Sequence, residues 1–206
     1  MKRIMKFDLT LLEHSFFNVC IVFLLAIGLG FFFSSVRKFA ANHNPFGAHL
    51  INYGTIPGVM HHELSHALLA FLTGAKVTEV KLFQFSHKDG ALGYVSYAAR
   101  GNFVFKAIQK VFASIAPILC GFISCSLLWI FVRPMTVGNT LWTVLFYYLF
   151  GCIILHMSLS KQDLKVMRSG IVVVFLLMTV IFYFTKFDLV AMILGWMQEY
   201  STKIVN

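Results

Sequence analysis

The chain has 206 residues and a formal net charge of +9, and it is 59% hydrophobic and only 12% charged, with a mean hydropathy of +0.80. That balance excludes an ordinary soluble domain. The 17 Lys and Arg residues are scattered between apolar runs and form no basic stripe, so no nucleic-acid partner is expected and the lipid bilayer takes its place.

A hydrocarbon core of about 30 Å takes roughly 20 apolar residues of helix, and five runs approach that length. The first covers about 15–36 and ends at Arg37 and Lys38, too long and with the wrong exit for a cleaved signal peptide. The second covers about 51–73, the third about 111–132 with Pro117 inside it, the fourth about 139–157 and the fifth about 166–184. The tail, 188–206, mixes apolar residues with Gln198, Glu199 and Lys203, which suits an interfacial helix better than a further crossing. The expectation is an all-α integral membrane protein, one membrane-embedded domain over 1–206 with about five transmembrane helices.

Between the second and third runs lies KVTEVKLFQFSHKDGALGYVSY, in which Val80 and Leu82 alternate with Glu79 and Lys81 before the turn signal Lys88-Asp89-Gly90. This predicts a β-hairpin over Val77 to Tyr97. An open sheet edge cannot face lipid within the hydrocarbon, so the hairpin is expected at the membrane surface. It is either a plain connection or an edge to which an extended substrate adds a strand.

Charge placement predicts orientation. With the N-terminus inside, twelve Lys and Arg residues fall in cytoplasmic segments and five in outer ones, Arg37, Lys38, Arg133, Lys186 and Lys203. The positive-inside rule then favours a cytoplasmic N-terminus and a cytoplasmic hairpin. Cys20, Cys120, Cys125 and Cys152 lie in apolar runs without a CxxC pair, and read as small buried hydrophobes.

Within the second run, His62-Glu63-Leu64-Ser65-His66 is an HExxH motif. Positions four apart on a helix lie one above the other at about 5–6 Å, so two imidazoles can converge on one Zn²⁺. Glu63, one residue past the first ligand, can reach a metal-bound water as general base. Ionisable groups inside a span are expensive, at about 2.5 kcal/mol or more for a charge by insertion scales, and mark functional cavities. His61 has no partner at HxxxH spacing and is expected to be hydrogen-bonded or pocket-lining.

Catalytic zinc takes three protein ligands and leaves a position open. The metzincin extension would need a glycine and a third histidine where the chain has Leu69 and Leu72. Glu79 and Asp89 fall in the hairpin, Asp188 follows the last span, and Glu199 lies in the tail. Two candidates are left, Asp163 at the end of the fourth run and His156, one heptad earlier. Asp163 sits beside Lys161 and Lys165 at an expected boundary, whereas His62 and His66 are near mid-span. For these depths to meet, the second span must exit early or the 158–163 segment must be non-helical and dip into a water-filled cavity.

HELSH together with HMSLSKQDLK, His156 to Lys165, resembles the site-2 protease family of intramembrane zinc metalloproteases, in its short-chain branch, over about Ile56 to Arg168. The resemblance implies that Asp163 is the third ligand, with zinc as cofactor and Glu63 as the catalytic residue. It also implies cleavage of membrane-anchored protein or peptide substrates, with room for a regulatory membrane partner. The Asn-Pro and Leu-Asp-Gly patterns of better-known members are replaced by Ser-Lys-Gln-Asp-Leu at 160–164. The segment ASIAPILCG, Ala113 to Gly121, is similar to a small-residue and Pro stretch of that family's third span. The expected location is a multi-pass position in a bacterial cell membrane. Two other classes carry similar motifs: a metal transporter, which would need ligands on several neighbouring helices, and a non-catalytic membrane scaffold or chaperone that keeps the metal site.

Overall fold

The computed structural model describes residues 8–42, 53–84, 92–195 and Gln198 of the chain. The chain is mostly helical with one small two-stranded sheet. Helix α1 covers Leu9–Asn42, α2 Ile56–Leu72, α3 Phe103–Leu127, α4 Thr140–His156, α5 Lys161–Arg168 and α6 Ile171–Thr185, and a short α7, Leu189–Gly195, follows. Strands β1, Lys76–Lys81, and β2, Tyr94–Ala98, lie between α2 and α3.

Helix α1 is apolar on all sides, the pattern of a helix surrounded by apolar matter. Its 34 residues make it about 51 Å long at about 1.5 Å per residue, longer than the expected 15–36 run. Asp8 caps its start, accepting hydrogen bonds from the Thr10 hydroxyl (2.6 Å) and the Leu11 N–H (3.2 Å). These two bonds hold its carboxyl below the usual carboxylate range. Helix α3 also begins earlier than expected, because Asn102 accepts a hydrogen bond from the Phe105 N–H as N-cap. It runs through Pro117 and continues as a π turn, Leu128–Val132, and a 3₁₀ turn, Arg133–Thr136.

Two helices are each long and apolar enough to cross a membrane, Leu9–Phe39 and Phe103–Thr136. Two bent pairs raise the number to four if each is one span: α4 with α5, bent by 51°, and α6 with α7, bent by 64°. Large apolar side chains such as Leu24, Phe31, Phe71, Leu141 and Val172 are exposed on the outer faces of these and the neighbouring helices, as a lipid-facing surface requires. The expected second span differs most. Helix α2 has 17 residues, about 26 Å, and packs against α3, α4 and both strands. Residues 51 and 52 of the expected run lie outside the described residues.

The expected fourth and fifth runs divide differently in the structure. Helix α4 ends at His156, residues 157–160 carry no helix, and Ser160 caps the separate α5. Met157 and Leu159 are buried in that break, at 2% and 6% exposed, so the irregular backbone is enclosed by protein, as membrane depth demands. A turn at Ser169 and Gly170 then separates α5 from α6, with Gly170 lying against the Ala107 backbone.

Helix α2 runs antiparallel to α3 and parallel to α4. The first relation follows from His61 facing Ser124 and His66 facing Ala113, the second from Tyr148 reaching the Gly54 carbonyl and His62 reaching that of His156. Gly58 permits the α2–α4 approach, since a Cβ there would stand 2.2 Å from the Cys152 carbonyl oxygen. The strands pair antiparallel, Val80 opposite Val95 and Val77 opposite Tyr97, with a bulge between Val77 and Glu79. The expected hairpin is therefore present, and its turn, Lys88-Asp89-Gly90, lies outside the described residues. All four cysteines are free thiols.

Candidate metal centre

His62 and His66 occupy one face of α2, one turn apart, with ring centroids 4.7 Å from each other. The Nδ1 atom of His62 bonds to the carbonyl oxygen of His156 at 2.7 Å, and the Nδ1 of His66 to that of Ala113 at 2.6 Å. A carbonyl oxygen only accepts, so both Nδ1 atoms carry the proton and both Nε2 atoms present a bare lone pair. Those two Nε2 atoms are 3.1 Å apart. Asp163 Oδ1 is 3.4 Å from His66 Nε2. Three acceptors gathered without a donor are mutually unfavourable until a cation joins them.

Two of the three ligand–ligand edges meet a geometric test for such an ion, and the third, between His62 and Asp163, lies within 4.8 Å. Bonds of about 2.0–2.1 Å in a tetrahedral site set ligand atoms about 3.3–3.4 Å apart. The observed 3.1 and 3.4 Å bracket that spacing closely. Among the described residues, His62, His66 and Asp163 are the one group of three such side chains that could hold a metal ion, their ligand atoms all within 4.8 Å of one another.

Each ligand is oriented by a second contact, as metal sites generally require. The carbonyls of His156 and Ala113 fix the two imidazoles. Asp163 is fixed by the cap of α5: its Oδ2 accepts from the Ser160 N–H at 2.7 Å, while its own N–H donates to Ser160 Oγ at 3.0 Å. This reciprocal capping box leaves Oδ1 turned toward His66. The break after His156 thus lets Asp163 reach the level of α2. His156, the rival ligand, supports the site through its backbone, and its Nδ1 bonds to the Cys152 carbonyl at 3.0 Å. His61 points elsewhere, to the Ser124 hydroxyl at 2.9 Å.

Glu63 is buried beside His62, at 9% exposed. Gly93, at the start of β2, lies directly over it: a Cβ at that position would stand 2.7 Å from Glu63 Cγ and 2.9 Å from the carbonyls of Leu82 and Lys81. The sheet therefore roofs the carboxylate. The site opens into a cavity of about 1170 Å³, whose wall includes Glu63, His62, His66 and Asp163 together with β2. That volume exceeds the usual small-molecule range of about 300–1,000 Å³ and has room for a stretch of polypeptide. Burial, and after it the Asp163 carboxylate, push the Tyr97 phenol on this wall up to about 12, so it presents a neutral hydroxyl.

Three supporting groups escaped the sequence reading. Ser160 carried a signal, since S-x-x-D at 160–163 is a capping-box pattern that marks a helix start just before the ligand. The Ala113 carbonyl and Gly93 carried none, because both act through tertiary approach. Ser114, next to Ala113 and on the cavity wall, is 2% exposed, and its hydroxyl has no hydrogen-bond partner among the described residues.

Comparison with protein families, with curated proteins and with solved structures finds no match to this chain.

Proposed function

We propose that the chain is an intramembrane zinc metalloprotease of the site-2 protease type, cleaving membrane-anchored protein or peptide substrates. The observation that carries this reading is the trio His62, His66 and Asp163, pre-oriented by carbonyls and a capping box, with the buried carboxylate of Glu63 one residue along the same helix. Two imidazoles and one carboxylate suit zinc and leave a fourth position open. Bound there, zinc would polarise the scissile carbonyl and bring the pKa of its water from about 15.7 down toward 7.

Glu63 takes a proton from the water as its oxygen bonds to the carbonyl carbon, and delivers that proton to the leaving amine nitrogen as the C–N bond breaks. Transfers of this kind are worth about 10² to 10⁴ in rate. A substrate helix has its carbonyls already hydrogen-bonded, so it must unwind before attack. Strand β2, which lines the cavity, can hold the unwound segment extended by offering main-chain partners. On this reading the molecule crosses the membrane up to four times, with the hairpin on the cytoplasmic side and the Arg37 end of α1, which lines the same cavity, on that side with it.

The test compares the membrane proteome of cells carrying the wild-type chain with that of cells carrying Glu63→Gln. The expected outcome is accumulation of uncleaved substrate in the variant at unchanged zinc content. Unchanged substrate levels together with intact biological activity would replace the protease by a scaffold that keeps the metal site.

A further inference from the structure

The cavity wall has a charge imbalance that hydrolysis does not use. Four cations from three helices line it: Arg37 and Lys38 near the end of α1, Lys110 on α3, and Lys161 at the start of α5. Among the described residues two carboxylates share the wall, Glu63 and Asp163. Asp163 accepts from the Ser160 N–H with Oδ2 and turns Oδ1 toward His66 in the metal site, and Glu63 is roofed by Gly93. Among the described residues the one Lys or Arg beside a carboxylate is Lys81, 3.9 Å from Glu79, so none of the four cations has a carboxylate partner there.

Arg37 and Lys110 are half-buried, Lys38 and Lys161 exposed. Elsewhere a partly enclosed cation is accommodated: Arg133 donates to the Tyr147 hydroxyl at 3.2 Å and rests over its ring. Around the cavity the cations face a common space instead. Arg37 lines the cavity together with His62 and His156, so it belongs to the metal centre's own surroundings. A bound divalent ion would cancel the two carboxylates and leave the wall's positive charges to repel one another. An anion entering the cavity removes that repulsion, and low-dielectric walls focus the attraction on it.

We propose that this wall selects the substrate by carboxylates, so that the polypeptide taken into the cavity carries Asp or Glu side chains flanking the apolar segment to be cut. This rests on the protease reading for what happens to the bound chain, but recognition itself is independent of cleavage. Arg37 is the strongest candidate anchor, because a guanidinium presents a fork that fits a carboxylate with two parallel hydrogen bonds. Lys38, Lys110 and Lys161 contribute as point charges. Anionic lipid, the other negative species at hand, meets exposed lysines equally well but does not need a cavity large enough for a peptide.

The experiment measures binding without turnover. Full-length, zinc-loaded Glu63→Gln protein is placed in nanodiscs of phosphatidylcholine, and the affinity of a fluorescent peptide is read by anisotropy. The peptide has one apolar core in three versions, flanked by Glu, by Gln or by Lys. The expected order is Glu tightest, Gln intermediate and Lys weakest, with about tenfold between Glu and Gln for a few partly screened pairs. The preference should shrink as salt rises and vanish in Arg37→Gln with Lys38→Gln, while Arg37→Lys keeps most of it. Zinc content and elution volume show whether each variant is folded. Equal affinities for the three peptides would overturn the proposal, as would a Glu preference untouched in the double variant. Loss of the preference in nanodiscs rich in phosphatidylserine would assign the wall to lipid and overturn it too. Failure of the protease reading appears separately, as wild-type protein that binds the Glu peptide and leaves it whole.

Discussion

Helices α1 and α2 are about equally apolar along their length, yet they handle their polar side chains in opposite ways. In α1, Ser15 donates back to the Leu11 carbonyl at 2.8 Å and Asn18 to that of His14 at 3.0 Å, satisfying each group within its own turn. Asn18 also accepts from the backbone N–H groups of Leu189 and Val190, which ties α7 to α1. In α2, three histidines on two successive turns reach across to other elements: His61 to Ser124, His62 to His156 and His66 to Ala113. Polar groups satisfied locally let a helix sit in any apolar surrounding. Polar groups satisfied at a distance tie it to one arrangement, and here that arrangement gathers three metal-ligating atoms.

The largest effect should come from breaking that gathering. Asp163→Ala removes the one carboxylate of the trio, and metal content by elemental analysis should fall more than about 100-fold in apparent affinity, beyond the 10–100-fold typical of supporting residues. His156→Ala keeps its backbone carbonyl, so the bond from His62 survives and most metal should remain. The reverse pattern would make His156 the ligand. Next comes the seam that holds α2 in register. Gly58→Ala places a Cβ against the Cys152 backbone at 2.2 Å, which cannot yield as a side-chain tip would. A loss of about 1–3 kcal/mol in unfolding free energy is expected, with weakened metal binding because Cys152 and His156 share a turn.

Ser160→Ala sharpens the comparison further, since it touches no metal. It removes the bond from the Asp163 N–H to Ser160 Oγ and loosens the carboxylate that the capping box aims. Helix capping predicts about 0.5–2 kcal/mol of lost stability, and the supporting role predicts about 10–100-fold weaker metal binding. Ser160→Thr, which keeps the hydroxyl, should restore both. An affinity unchanged by Ser160→Ala would mean that Asp163 is held by packing alone.

What could be read from the sequence divides along the same line. HExxH and the alternation before Lys88 are local patterns, and local patterns survive folding, so the two histidines share one helix face and the antiparallel strands stand where spacing puts them. Elimination could narrow the third position to Asp163 and His156 because so few acids exist in the chain, and the resemblance pointed to Asp163. Hydropathy registers how apolar a run is and not what surrounds it, so it carried no sign that α2 packs against α3, α4 and both strands. It also ran 166–184 as one span, though the capping box at Ser160 and the turn at Gly170 divide α5 from α6. Charge counting assigns Arg37 and Lys161 to opposite faces, yet both line the one cavity, because tertiary approach is invisible to a sum over loops.

The smallest expected effect is also the finest test of the contrast between locally satisfied and outward-facing groups. Ser15 and Ser114 are both 2% exposed and both sit inside long apolar helices. Ser15 has its bond to the carbonyl one turn back, whereas the Ser114 hydroxyl makes none among the described residues, with its residue on the cavity wall beside Ala113. Replacing Ser15 by Ala removes a hydrogen bond and leaves the Leu11 carbonyl with its helical partner, a loss of about 0.5–1.5 kcal/mol at most. Replacing Ser114 by Ala removes a buried hydroxyl that the folded chain does not satisfy, which should be neutral or raise stability by up to about 1 kcal/mol. Thermal unfolding of the two variants in one detergent, with metal chelated, should therefore move the midpoints in opposite directions or leave Ser114→Ala unmoved. A destabilisation by Ser114→Ala as large as that of Ser15→Ala would show that the hydroxyl is satisfied in the folded protein by an ordered water, and the cavity would then be wet to the depth of α3.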